Sequence, residues 1–180
     1  MFRLHVTRTI WFAALACGLA AMGEDTPVTS AQQPALEKLA GSVGVWESTT
    51  RYRFAPDMPV FESHSVETTQ WSPNHKFLIS DQRGTMPDGT INRVVVITWD
   101  PKEKLYKLVA IYAGGETEQL AMTVEGSVRT IVSYRHIGER MIRCENKMED
   151  TSPTEFKARC ECTDRETNWT FSEASSKKVQ

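Results

Sequence analysis

The feature that most constrains this chain is a nearly unbroken series of segments in which apolar and polar residues alternate, beginning at Gly44-Val45-Trp46. Alternation of this kind is typical of strands that bury one face, because successive side chains of a strand point to opposite faces. The clearest case is the segment 155–163, where Phe156, Ala158, Cys160 and Cys162 alternate with charged residues. The chain from residue 44 onward is therefore predicted to be all-β.

The connections between these segments are short and rich in turn residues. Met86-Pro87-Asp88-Gly89 is the strongest example, since proline restricts φ and glycine accepts a positive φ. The predicted strands are 45–54, 61–71, 75–83, 91–99, 105–112, 116–125, 128–137, 140–148, 155–163 and 168–172. Short turns allow antiparallel pairing of consecutive strands but no parallel crossover. We expect an up-and-down antiparallel barrel of about ten strands, because closure removes exposed edges.

One short helix is predicted before the strands, over residues 34–41 (PALEKLAG). Pro34 suits the first turn of a helix, Leu36 and Leu39 share a face, and Gly41 can end the helix. Its apolar face would cover one end of the barrel. We place the barrel domain at 34–173 and a polar C-terminal tail at 174–180.

The first residues have the pattern of a secretory signal peptide. Arg3 and Arg8 precede an apolar stretch at 10–22 that is too short to span a bilayer. Small residues at Ala21 and Gly23 suit cleavage before Glu24. We therefore expect a signal peptide at 1–23 and a flexible, polar linker at 24–33.

This leader predicts a periplasmic or secreted protein, a compartment that permits disulfides. The alternative is a lipoprotein anchored at Cys17, from the run Ala14-Leu15-Ala16-Cys17. No later segment has the length of a transmembrane helix, so no membrane span is expected in the mature chain.

Charge and composition exclude some function classes. Lys and Arg total 21 against 23 Asp and Glu, with a formal net charge of -2. There is no basic field that would attract nucleic acid, and no nucleic-acid partner is expected.

The segment Leu36-Glu37-Lys38-Leu39-Ala40-Gly41, followed by Gly44-Val45-Trp46, resembles the opening of lipocalin-like (calycin) barrels. Together with Thr98-Trp99-Asp100-Pro101 and Lys104-Leu105-Tyr106, it resembles the bacterial domain-of-unknown-function family fifteen-seventy-nine. The resemblance covers about residues 34–171. It implies a barrel fold and an export habit, and it implies no established chemistry.

Aromatic residues on predicted inward faces are the best functional clue, because Tyr and Trp offer polar groups inside an apolar cavity. The candidates for a ligand-binding barrel interior are Trp46, Tyr52, Phe54, Tyr106, Tyr112, Tyr134 and Trp169. We expect a small, mostly apolar ligand. The alternative is a structural or interaction domain in which these aromatics fill the barrel.

The cysteines suggest a disulfide rather than a metal centre. A hairpin turning near Thr151-Ser152 would place Cys144 opposite Ala158 or Cys160, so a Cys144–Cys160 disulfide is predicted, leaving Cys162 as the odd thiol. The alternative is three buried, inert thiols. Zinc is not expected, because Cys160-x-Cys162 on a strand is not the usual chelating spacing.

No catalytic constellation is predicted, and we expect no enzyme and no cofactor. His136 is the one candidate for a haem ligand, and a histidine at a strand end is more commonly a surface or satisfied core residue. Glu67 and His64 fall on opposite faces of one strand, so they cannot share a proton. The oligomeric state is left open by the sequence.

Overall fold

Strand pairing runs without a break around the molecule. In the computed structural model, which describes residues 32–86, 89–137, 140–164 and 167–180, ten strands form a closed barrel. Each strand pairs antiparallel with its sequence neighbours, and the first pairs with the last. The strands are β1 (Gly44–Tyr52), β2 (Phe61–Trp71), β3 (Leu78–Met86), β4 (Gly89–Asp100), β5 (Leu105–Tyr112), β6 (Thr117–Glu125), β7 (Val128–Ile137), β8 (Arg140–Ser152), β9 (Glu155–Thr163) and β10 (Asn168–Lys178). The predicted all-β, up-and-down barrel is confirmed.

The strand β3 begins at Leu78, three residues later than predicted from the sequence. The Ser72 hydroxyl accepts the backbone N–H groups of Lys76 and Phe77 at 3.1 Å each, and it donates to Asn74 at 2.8 Å. His75 has a φ of 55°, which a strand residue does not adopt. Local side-chain-to-backbone hydrogen bonds thus hold residues 72–77 in a turn.

The predicted C-terminal tail at 174–180 is wrong for most of its length. β10 continues to Lys178, and Ala174 lies opposite both Thr50 of β1 and Ala158 of β9. Ser176 is buried, whereas Ser175 and Lys177 are exposed. The polar composition of this segment gives no hydrophobic pattern from which a strand could be predicted. Closure of the barrel supplies the hydrogen-bond partners of its backbone.

The N-terminal helical segment is present but shorter than predicted. α1 spans Gln32–Glu37, and a separate 3₁₀ helix spans Ala40–Ser42. Leu36 and Leu39 are both buried against Leu78, Tyr106 and other apolar residues of the barrel. The helical segment therefore closes one end of the barrel, which we call the closed end.

A buried tyrosine ties this helix to the barrel wall. The Tyr106 hydroxyl donates to the carbonyl oxygen of Ala35 at 2.5 Å, and Tyr106 is almost fully buried. Burial raises the pKa of Tyr106 above its usual value.

Tyr106→Phe is expected to lower the free energy of unfolding by about 1–2 kcal/mol, because the carbonyl of Ala35 loses its donor in a buried place. Urea unfolding followed by fluorescence measures this loss. Tyr134→Phe is the matched control, since Tyr134 is exposed. Equal stabilities of the two variants would contradict the proposed anchoring role.

A second set of contacts seals the rim of the closed end. The Trp46 indole N–H donates to the Ser42 carbonyl at 2.9 Å, and its ring lies 5.1 Å from that of Phe156. The Arg129 guanidinium lies 5.2 Å from the Phe156 ring centre and also donates to the Ser42 hydroxyl at 2.9 Å. Trp46 thus joins the strand β1 to the helical segment, a stabilising role.

Close approach of β2 and β3 requires glycine at position 84. A Cβ there would lie 2.5 Å from the His64 carbonyl oxygen and 2.6 Å from the Ser65 Cβ. We expect Gly84→Ala to lower the free energy of unfolding by about 1–3 kcal/mol, since backbone must shift. Gly41→Ala is the control, because nothing lies within 4 Å of its added methyl group. Thermal unfolding of both variants checks this, and an unshifted midpoint for Gly84→Ala would refute it.

Candidate functional site

The barrel interior has apolar residues at both ends and polar residues between them. At the closed end, the buried cluster consists of Leu36, Leu39, Leu78, Tyr106, Leu108 and Met122. Toward the other end, a second buried cluster consists of Ile142, Cys144, Cys160, Cys162, Trp169 and Phe171. Between the two clusters lie buried polar residues that we call the polar band: Thr50, Ser63, Ser65, Thr69, Ser80 and Ser176.

The polar band is built from small side chains of β1, β2, β3 and β10. On β4, Val95 and Ile97 lie opposite the buried Ala110 and Leu108, so they face the interior. Both are partly buried and pack against the cluster at the closed end. The interior thus combines apolar side chains with small polar ones.

The carboxylate of Glu67 lies next to the polar band. Glu67 of β2 accepts hydrogen bonds from the hydroxyls of Ser80 at 2.7 Å and Thr69 at 3.2 Å. It points inward because its strand neighbours Ser65 and Thr69 are buried, while the intervening residues are exposed. His64 points outward, as predicted, with 70% of its side chain exposed. The two residues therefore lie on opposite sides of the barrel wall.

Further polar groups continue across β3, β4 and β5. Arg93 donates from Nε to the Gln82 side-chain oxygen at 2.7 Å, and Gln82 donates to the Ser65 hydroxyl at 3.4 Å. The Tyr112 hydroxyl donates to Glu118 at 2.8 Å. Burial, and then the neighbouring Glu118 carboxylate, raise the pKa of Tyr112 above its usual value.

Sequence reasoning missed Arg93, Gln82 and Glu118 as interior residues. A signal was present: Arg93 occupies the same alternating face of its strand as Val95 and Ile97. Strict alternation would have placed this arginine inside the barrel. The interior is consequently more polar than the apolar binding site that the aromatic residues suggested.

Three aromatic rings pack together near the second cluster. The Phe54 ring centre lies 6.1 Å from that of Tyr52 and 5.6 Å from that of Phe171. Trp169 is also buried there, and its indole N–H has no hydrogen-bond partner in the described part of the chain. A buried indole normally finds an acceptor, so this donor is available to one that enters the interior.

The predicted Cys144–Cys160 disulfide is wrong, because Cys144 pairs with Cys162 instead. The β8–β9 turn lies at Pro153-Thr154 rather than at Thr151-Ser152, and a register shift follows between Asp150 and Ser152. Cys144 and Cys162 thus lie directly opposite each other, with a Cα–Cα distance of 4.1 Å. Cys160 lies opposite Asn146 and remains outside the disulfide.

The seven predicted interior aromatics divide into different places. Trp46 and Tyr106 are buried at the closed end, where their polar groups bond within the protein. Tyr112 borders the polar band. Trp169 belongs to the second cluster, and Tyr52 and Phe54 pack against that cluster. Tyr134 is the exception, because it is 60% exposed.

Tyr134 is therefore wrong as an interior candidate. Its neighbour Ser133 lies opposite the buried Cys144, so the inward positions of β7 are the odd-numbered ones in this stretch. Tyr134 consequently faces outward. The haem candidate His136 lies in β7, and its side chain is outside the described part of the structure.

A pocket of about 570 Å³ lies at the wall formed by β10, β1, β2 and β3. Its lining includes exposed residues such as Glu47, His64 and Arg83, and it also includes the buried Ser65 and Ser176 of the polar band. The interior, where polar groups converge beside apolar walls, is the better candidate for a binding site.

A closed antiparallel barrel with a short helix packed into one end defines a lipocalin-like barrel. Residues 31–173 match the family described as "Protein of unknown function (DUF1579)", and the chain belongs to that family. No curated protein matches the sequence. Among the described residues, no helix is long and apolar enough to cross a membrane.

Solved structures that are similar to this chain include the following two proteins. The S-type phycobiliprotein lyase CPES from Guillardia theta is 13% identical, with a TM-score of 0.54, over 80% of this chain and 92% of its own. Rv2717c from M. tuberculosis is 14% identical, with a TM-score of 0.54, over 82% of this chain and 98% of its own. At these identities, the likeness concerns the fold alone.

Proposed function

We propose that this protein is an exported binding protein that holds a small molecule inside its barrel. The observation that carries the proposal is the group of inward polar side chains Glu67, Gln82 and Arg93, which lies beside the apolar cluster covered by the helical segment. A barrel interior that combines apolar walls with a few polar groups is suited to hold a small molecule.

The lining favours a ligand with an apolar body and at least one polar group. Val95 and Ile97 offer apolar contact, whereas Arg93, Gln82 and the hydroxyls of the polar band offer hydrogen bonds. This is a more polar ligand than the sequence alone suggested. The unpartnered indole N–H of Trp169 is a further donor for a ligand acceptor.

The phycobiliprotein lyase shares the barrel fold, and the choice between binding and chemistry depends on the residues of this interior. Glu67 is the one inward carboxylate described here with two hydroxyl donors, from Ser80 and Thr69. Those bonds hold the carboxylate in one orientation, which suits it to position a ligand. Binding is accordingly the function that we propose.

Export is supported by the leader at 1–23 and by the Cys144–Cys162 disulfide, which suits an oxidising compartment. The test is the intact mass and N-terminal sequence of the protein purified from its own host. A chain beginning at Glu24 would agree with cleavage of the signal peptide, whereas an acylated Cys17 would show the lipoprotein instead. An uncleaved chain beginning at Met1 would contradict both.

Native mass spectrometry of the protein from its own host tests binding. We expect a bound mass that is lost on denaturation. Val95→Trp should abolish it by filling the interior, while Val96→Trp should keep it, because Val96 is the next residue on the same strand and faces outward. An empty wild-type protein, or equal binding by the two variants, would favour the alternative of a self-filled barrel.

A further inference from the structure

Three cysteine sulfurs meet at one place in the second cluster. Cys160 and Cys162 share the inward face of β9, and Cys144 lies on the neighbouring strand β8. Their Sγ atoms all lie within 4.8 Å of one another, and all three residues are buried. Among the described residues, no histidine or carboxylate joins this group.

We propose that the reduced form of this cluster is a binding site for one soft metal ion, Cu⁺, held by the sulfurs of Cys144, Cys160 and Cys162. The oxidised form, in which Cys144 and Cys162 form the disulfide, cannot hold the ion because two of its three ligands are consumed. The site is thus available only when the disulfide is reduced.

The spacing of the sulfurs fits a three-coordinate ion. Sulfurs at about 2.3 Å from a common ion lie about 4 Å apart when the three are arranged in a plane around it. The observed limit of 4.8 Å allows this arrangement once the bond between Cys144 and Cys162 is broken.

The donor set selects the ion. Thiolate ligands favour Cu⁺ and Zn²⁺ over ions such as Mg²⁺ and Ca²⁺, which require oxygen ligands. Structural zinc almost always takes four ligands, and only three converge among the described residues. Cu⁺ is satisfied by three sulfurs, so it is the better match.

A second observation points to the same place. Trp169 lies opposite Cys162 in the β9–β10 pairing, packs in the same cluster, and has an indole N–H without an acceptor in the described residues. A metal-bound thiolate is electron-rich and accepts such a hydrogen bond. The donor would offset part of the negative charge that three thiolates bring into an apolar environment.

The reduction balances with a thiol reductant. Two RSH molecules supply two electrons and two protons: the bond between Cys144 and Cys162 breaks, one RS–SR bond forms, and two cysteine thiols result. Cu⁺ then binds the three sulfurs, and the displaced thiol protons pass to solvent. No other oxidant or reductant is needed.

The test is an anaerobic titration of the reduced protein with Cu⁺ in the presence of a competing chromophoric chelator. We expect one ion per reduced chain and none per oxidised chain. Cys160→Ser should weaken binding by at least about 100-fold, because loss of a ligand exceeds the usual effect of a surrounding residue. Trp169→Phe should weaken it by about tenfold.

Ile142→Val is the matched control, since Ile142 is buried in the same cluster and offers no ligand atom. It should bind Cu⁺ as the wild-type protein does. Thermal unfolding gives a second readout, because an ion that binds only the folded state raises the midpoint of the reduced protein. Equal binding by the oxidised protein or by Cys160→Ser, or no gain in the midpoint, would overturn the proposal.

Discussion

Replacing Leu78 with alanine is expected to lower the free energy of unfolding by about 3–5 kcal/mol. Leu78 is completely buried, and it stands at the start of β3 where the helical segment meets the barrel. Its side chain contacts the same apolar cluster as Leu36 and Leu39. Truncation therefore removes buried methyl groups and leaves a cavity between two elements that cannot move together freely.

Urea unfolding of Leu78→Ala against wild type measures this effect. Val66→Ala is the control, because Val66 lies on β2 with 44% of its surface exposed, and such a change stays within about 0.5 kcal/mol. A loss below about 1 kcal/mol for Leu78→Ala would show that the helical segment re-packs over the gap. The role of the helix as a rigid closure of the barrel would then be wrong.

Reduction of the Cys144–Cys162 disulfide is expected to lower the free energy of unfolding by about 3 kcal/mol. The bond joins residues 18 apart in the chain, and the cost follows from the freedom that the unfolded loop regains. Unfolding in urea with and without a thiol reductant measures the change without altering any side chain.

Cys160→Ala separates the disulfide from its neighbour. This variant keeps the bond between Cys144 and Cys162, so it should still lose about 3 kcal/mol on reduction. If reduction leaves the stability of both proteins unchanged, the bond is absent from the folded protein. If only Cys160→Ala becomes insensitive, Cys160 is a partner in the bond and the pairing observed here is wrong.

The strands were predictable because burial of one face leaves a period of two in the sequence. The predicted bounds of β2, β5, β7 and β9 agree with the structure. The start of β3 and the end of β10 were not predictable in this way. The start of β3 is delayed because the Ser72 hydroxyl accepts hydrogen bonds from backbone N–H groups of the preceding turn. The end of β10 is polar, and its pairing with neighbouring strands keeps it in the sheet.

The candidate site was predicted only in part. The inward faces of Tyr52, Tyr106, Tyr112 and Trp169 follow from alternation and agree with the observed pairing. Tyr134 was placed on the wrong face because its strand carries apolar residues on both faces, so periodicity does not distinguish inside from outside. The pairing of β7 with β8 decides which side chains of β7 face inward, and this pairing cannot be read from the sequence.

The sequence by itself determined the class of fold: one-sided burial requires alternation, and short turns require antiparallel neighbours. The tertiary structure alone decided which cysteines meet, where polar groups enter the interior, and which end is closed. These depend on strand register: the position of the β8–β9 turn and the register shift between Asp150 and Ser152 together place Cys162, rather than Cys160, opposite Cys144. Register is set by contacts among all neighbouring strands at once, so no single segment of the sequence contains it.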